Sequence, residues 1–284
     1  MKNVLVTGGN GQLGLSIRSI EESLTKDINF VYLTSDDLDV TSHEQIEAAI
    51  TQYKPAYVIN CAAYTAVDKA ESEKDSAYLV NATGAELLAK SCKANGVVLI
   101  HVSTDFVFGD TRPHPLTEEM ETAPTGVYGA SKLAGEKLIA ENMTNYFIIR
   151  TSWLYSEFQS NFLKTMLRLG KEREELSVVY DQAGSPTYAV DLAEFILNII
   201  NTDSKNYGLY HYSNEGVASW YDFAFEIFKL SNIKIDLKPI TSDQFPTPAK
   251  RPNYSVMSKD KAKQTFNIKI KHWTTSVAEC LTKI

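Results

Sequence analysis

Short runs of consecutive apolar residues recur through the first half of the chain. Val4-Leu5-Val6 is the first, and residues 30–33, 56–60, 97–102 and 147–149 have the same character. Runs of this length, without an alternating polar face, predict strands of a parallel sheet buried on both sides. Between them, apolar residues fall at helical spacing over about 12–22, 43–53, 73–95 and 127–143, and Thr41-Ser42 supplies an N-cap for the second of these. Strand and helix alternate, which predicts a doubly wound α/β fold whose ligands sit at the carboxyl ends of the strands. After residue 150 the rhythm loosens. Helices are expected around 160–171, 189–201 and 219–231. Pro239, Pro246, Pro248 and Pro252 predict an irregular tail before a last helix near 274–283. Residues 1–150 are therefore assigned to a binding core, and 151–284 to a smaller lobe partly interleaved with it.

Composition narrows the possible partners more than the fold. Hydrophobic residues make up 44% and charged residues 22% of the 284, as in a soluble globular protein. The net charge of −7 argues against nucleic acid or an anionic membrane as the main partner. No apolar run reaches the length of a membrane span, and the first residues read as strand and turn, not as a signal peptide. The three cysteines, Cys61, Cys92 and Cys280, show neither zinc nor disulfide spacing, so a reduced protein of the cytoplasm is expected. The five histidines stand singly, and His101, on a predicted strand, reads as a core or rim residue.

Four segments carry candidate chemistry. Thr7-Gly8-Gly9-Asn10-Gly11-Gln12-Leu13-Gly14 follows a strand and precedes a helix. Gly8 permits the sharp turn, Gly11 lets backbone approach a pyrophosphate, and Gly14 lets the helix pack against the strand. The helix N-terminus then offers unpaired N–H groups to phosphate, as in Rossmann-type folds. After the second strand, where an acid ordinarily holds the ribose hydroxyls, stand Thr34 and Ser35. The missing acid removes a repulsion against a 2′-phosphate, so NADPH is allowed alongside NADH. Asp39 and Val40 either contact the adenine or belong to a solvated acidic loop. Tyr128 and Lys132, at YxxxK spacing, open a helix and share one face. An ammonium beside a phenol lowers the tyrosine pKa, which suits proton exchange with an alcohol or ketone. Ser103 and Thr104, at the end of the strand 97–102, either face the ligand crevice or satisfy a turn.

Taken together, these segments resemble the extended short-chain dehydrogenase/reductases, and within them the reductases of dTDP-linked keto sugars. The carrying stretches are residues 60–71 (Asn60-Cys-Ala-Ala-Tyr-Thr-Ala-Val-Asp-Lys-Ala-Glu71), 103–108, 128–136, 150–155, 181–187 and 246–252. The resemblance implies Thr104, Tyr128 and Lys132 as the catalytic triad, reducing the C4 ketone of a nucleotide sugar with NADPH or NADH. It also implies that Asn10, Gly11, Gln12 and Leu13 bind the pyrophosphate, and that Asp39 and Val40 lie on the adenine side. Ala62, Ala63, Tyr64, Thr65 and Val102 would line the cofactor. The substrate would meet Val67, Asp68, Thr104, Asp105, Tyr128 and Trp153. Arg251 is either a partner for the substrate phosphate or a surface arginine. Some relatives dimerise through glutamate-held Mg²⁺. Leu15 and Val190 stand at those places here, so no metal is expected, and the chain is a monomer or a metal-independent homodimer. A non-catalytic dinucleotide-binding subunit, like the regulatory partner of methionine adenosyltransferase, is the rival reading, and a nucleotide-sugar epimerase or dehydratase is another.

Overall fold

The computed structural model describes residues 2–109 and 114–284, and in it the apolar runs become one sheet. Strands β1 (Lys2–Thr7), β2 (Ile28–Leu33), β3 (Tyr57–Asn60), β4 (Val98–Thr104) and β5 (Tyr146–Thr151) answer the five expected. Between them run α1 (Gln12–Leu24), α2 (His43–Tyr53), α3 (Gly84–Ala94) and α4 (Val127–Asn142). The later part of the chain adds α5 (Phe162–Glu172), β6 (Glu175–Val179), α6 (Ala189–Asn201), β7 (Gly208–His211), α7 (Trp220–Leu230) and β8 (Asp236–Ile240).

The sheet order is β7-β5-β4-β3-β1-β2, and every neighbouring pair is parallel. Both faces are covered, as the unbroken apolar runs require. Val4, Val6, Ile59, Ile100 and Ile149 pack with Leu192 and Ile196 of α6 on one side. Leu5, Val58, Leu99 and Ile148 pack with Ile46 of α2 and Leu88 of α3 on the other. Chain order reverses direction between β1 and β3, and at such a switch point the loops part to leave a crevice.

Residues after 150 build in two places. α6 covers the main sheet and β7 extends it beside β5. α5, α7 and the parallel pair β6–β8 enclose a second core around Tyr155, Leu163, Phe223, Ile227 and Trp273. The expected helix 73–95 is interrupted: Lys74–Tyr78 passes through a π-helical turn, Leu79–Thr83, before α3. The tail read as irregular also contains β8 and a helix at Asp260–Phe266. Pro239 is compatible with β8 because that strand belongs to a two-stranded edge pair, where a missing N–H costs little. Among the described residues, no helix is long and apolar enough to cross a membrane.

Candidate active site

The carboxyl ends of β1, β3, β4 and β5 open on a cleft of about 840 Å³. Gly8, Asn10, Gly11, Gln12 and Leu13 form one end, with Ser35, Asp39 and Val40 beside them. Ala62, Ala63, Tyr64, Thr65 and Val67 line a wall, and Val102, Thr104, Asp105, Tyr128, Lys132 and Trp153 form the far end. Gly8 adopts φ +64°, and a Cβ there would stand 2.8 Å from the Ala62 nitrogen. Gly14 is not part of the lining. A Cβ on it would lie 2.7 Å from the Gly8 carbonyl oxygen, so it seats α1 on the glycine loop, not on the strand. Gly11 caps α1 without a side-chain hydrogen bond, leaving the first-turn amides unclaimed by any cap. This narrow backbone cradle fits a dinucleotide pyrophosphate. The Gln12 side chain serves elsewhere: its carbonyl accepts from Ser156 Oγ at 3.0 Å and Asn161 Nδ2 at 2.9 Å, while Gln159 donates to the Asn10 carbonyl at 2.7 Å. Leu13 is buried in the core, so only its backbone can serve a ligand.

Tyr128 and Lys132 lie one turn apart in α4. The helix is pressed against the chain leaving β4, and a Cβ on Gly129 would sit 2.1 Å from the Phe106 carbonyl oxygen. At its start, Glu71 accepts from the Val127 amide at 2.8 Å, replacing the cap that Gly126 cannot provide. This placement brings the Tyr128 phenol into hydrogen-bonding contact with Thr104. Ser103 turns the opposite way and donates to buried Glu136, which also holds Arg150 at 2.7 Å. The Lys132 ammonium donates to the Val102 carbonyl at 2.7 Å and contacts His101 Nε2 at 3.2 Å.

The electrostatics differ from the expectation for the tyrosine. Burial pushes the Tyr128 phenol up to about 12; the Thr104 hydrogen bond opposes this and the Asp105 charge adds to it. Lys132 turns its ammonium to Val102 and His101, so desolvation outweighs any relief it gives the phenol. Burial brings Lys132 itself down to about 8, with Glu136 and Cys61 acting in the other direction. Asp105 is buried, pushed up to about 6, and its Oδ2 has no hydrogen-bond partner among the described residues.

Two expected substrate residues lie outside this cleft. Asp68 and Arg251 line an adjoining cavity of about 910 Å³ with Phe162, Gln182 and Trp220. There they bind each other in a two-point ion pair, at 2.9 and 3.1 Å. Trp153, at φ +47°, stacks on Trp220 with ring centroids 3.6 Å apart and so stands between the two spaces.

Comparison with known proteins places the chain in a family. The family model described as the RmlD substrate-binding domain matches residues 1–284. The chain belongs to this family. It is 40% identical to a dTDP-4-dehydrorhamnose reductase of Aggregatibacter actinomycetemcomitans over 96% of each sequence. It is 38% identical to a spore coat polysaccharide biosynthesis protein of Bacillus subtilis, over 99% of this chain and 97% of that one. A crystal structure of dTDP-4-dehydrorhamnose reductase from Bacillus anthracis in complex with NADP superposes with a TM-score of 0.95, at 40% identity and full coverage of both chains.

Within this family member, several residues at the site escaped the sequence reading. Asn81, buried in the π-helical turn, accepts from the Tyr64 amide at 2.9 Å and donates to the Tyr64 carbonyl and to Ser131. It fixes the loop 62–65 against α4. A π turn often marks a functional site, but no periodicity in 73–95 announces one. Glu71 and Trp220 are visible only once the chain has folded. His101, read as a core or rim residue, is buried as that reading has it and also touches the candidate catalytic lysine.

Proposed function

We propose that this chain reduces the C4 ketone of dTDP-4-dehydro-L-rhamnose to dTDP-L-rhamnose, with NADPH or NADH as the reductant, in the cytoplasm. The observation that carries the reading is the convergence of Thr104, Tyr128 and Lys132 on the cleft whose other end is the glycine cradle. Similarity to reductases so named, over the full chain, supports it. When bound, the reduced nicotinamide supplies a hydride to C4 of the sugar. Tyr128 keeps its phenol protonated at neutral pH and delivers that proton to the oxygen on C4. Thr104 hydrogen-bonds the same oxygen. Lys132 spends two of its three N–H donors on Val102 and His101, and the third reaches toward the cofactor ribose. Trp153 covers the sugar, and the nucleotide lies in the adjoining cavity against Trp220, with Arg251 near its phosphates. Leu15 and buried Val190 offer no oxygen ligand, so the reaction needs no divalent metal, and the chain acts as a monomer or a metal-independent homodimer.

The test is NADPH consumption with dTDP-4-dehydro-L-rhamnose, with the product identified by mass and NMR. One equivalent of NADPH is oxidised per dTDP-L-rhamnose formed. Turnover without net oxidation points to an epimerase or dehydratase, and cofactor binding with no turnover points to a regulatory subunit. In the same assay Tyr128→Phe retains cofactor affinity and loses roughly a hundredfold or more in kcat. Near-normal turnover removes Tyr128 as the proton donor.

A further inference from the structure

Beneath the cleft, a chain of buried polar groups crosses three strands. Lys132 Nζ lies 3.2 Å from His101 Nε2, His101 Nδ1 lies 2.9 Å from Asn60 Nδ2, and Asn60 Oδ1 accepts from Thr7 Oγ at 2.6 Å. Thr7, Asn60, His101 and Lys132 are all nearly inaccessible to solvent. Placing such groups in the core is costly unless each finds a partner, and here each does. The chain ends on an amide and a threonine, so it does not lead a proton out of the site. It holds a geometry.

We infer that His101 is a positioning residue that sets the direction of the Lys132 ammonium, leaving one N–H for the cleft. This rests on the reading of Lys132 as part of the reductase site. An ammonium has three donors and no acceptor, so with Lys132 charged the imidazole accepts at Nε2 and carries its own proton on Nδ1. Asn60, whose NH₂ faces Nδ1 and whose carbonyl accepts from Thr7 in the structure, then turns its amide over to present the carbonyl to Nδ1 and the NH₂ to Thr7. With Lys132 neutral every bond reverses: Nε2–H donates to Nζ, the amide nitrogen donates to Nδ1, and Thr7 donates to the amide oxygen. The ring tautomer therefore reports the charge on the lysine. Lys132 itself is faced by Glu136 of its own helix and by Cys61 at the end of β3, while Lys132 is the charge that acts on His101. Burial and that charge keep the imidazole neutral.

Two substitutions separate the contacts of the ring. Asparagine places its amide where Nδ1 stood and cannot reach Lys132, whereas the longer glutamine places a carbonyl where Nε2 stood. His101→Asn lowers kcat about tenfold, the effect of losing one hydrogen bond to a charged group. It also moves the alkaline limb of kcat to lower pH, because an ammonium with one acceptor fewer loses its proton more readily. His101→Gln restores kcat to within about threefold of the parent and returns the limb. Both variants should melt cooperatively and bind NADP⁺. Equal loss in the two with no movement of the limb, or no loss in the asparagine variant, overturns the inference. A readout independent of turnover is ¹⁵N-histidine NMR of the parent protein at pH 6.5. Nδ1–H is the expected tautomer; Nε2–H, or a ring that titrates to imidazolium near neutral pH, overturns it. If the parent protein does not turn over the keto sugar but the tautomer is as expected, the functional reading fails while the positioning contact stands.

Discussion

Asp105 illustrates a residue held against its own stability. Its carboxyl is buried beside Thr104 with one oxygen unpaired among the described residues, and burial pushes it up to about 6. In the unfolded chain it titrates near ~3.9. A carboxyl whose folded pKa is raised favours folding fully below the unfolded value and loses that contribution as pH rises through the folded one. At pH 8 the ionised group therefore costs about 2–3 kcal/mol relative to pH 4. Asp105→Asn should raise the melting temperature of the ligand-free protein at pH 8 and leave it unchanged near pH 4, while substrate turnover falls. An equal effect at both pH values would show that ionisation is not the cause. The corner after β2 is decided by single residues as well. Asp37 is occupied by Thr34, whose amide and hydroxyl donate to its carboxylate at 2.9 and 2.8 Å. Asp39 is similarly engaged by Thr41, and Arg18 lies over the Tyr32 ring. Thr34 and Ser35 themselves place no acid at the end of β2, and no arginine follows the strand. Both cofactors should work, with NADPH preferred by about tenfold in kcat/KM, on the order of 1 kcal/mol. A thousandfold preference for NADH in parallel kinetics would mean that Asp36 or Asp37 holds the ribose diol.

At the scale of elements, the proposed chemistry depends on how closely α4 lies against the end of β4. Gly129 makes that possible, since any Cβ there meets the Phe106 carbonyl oxygen, and the helix must retreat to admit it. Gly129→Ala is expected to destabilise the protein by about 1–3 kcal/mol and to lower kcat roughly a hundredfold by moving Tyr128 from Thr104. Gly96→Ala is the contrasting case. Gly96 is left-handed at φ +66° with open space around its Cβ, so the substitution strains the backbone but leaves kcat intact. Equal kcat losses in the two would remove the packing argument. The β1–α1 turn and the Tyr128/Lys132 face were legible in the sequence because local chemistry dictates them: Gly8 must turn, and residues four apart share a helix side. The break in 73–95 was not, because the side chains of Leu79–Thr83 suit an α-helix as well as a π turn, and what holds the turn is Asn81 reaching across to Tyr64 and Ser131. β7 was missed for a related reason. Four residues led by a glycine carry little periodic signal, and only pairing with β5 makes them a strand.

At the scale of the molecule, the two halves of the chain share a core. α6 and β7 belong to the main sheet, so the second half cannot swing as a free domain. Contacts at both cavities cross from one half to the other. Gln12 is gripped by Ser156 and Asn161 at the glycine loop, and Asp68 is paired with Arg251 at the adjoining cavity. The second of these bears on a residue read from the sequence as either a phosphate partner or a surface arginine. With its guanidinium already neutralised, Arg251 is not a free cation waiting for a ligand. A pyrophosphate entering this cavity must compete with Asp68 or share the guanidinium with it, and an arginine fork has donors for both. The two ligands are separable in kinetics, because Arg251 lines the adjoining cavity and not the cleft at the glycine loop. Arg251→Ala should raise KM for the nucleotide sugar by about ten- to a hundredfold, as expected for a charge-assisted hydrogen bond, and leave KM for NADPH within about twofold. Asp68→Asn should act in the opposite sense on the substrate, lowering its KM by freeing the guanidinium. Steady-state kinetics with each ligand varied in turn checks both. If Arg251→Ala raised the two KM values together, the pair would be a strut between the halves and the nucleotide would have to be sought elsewhere.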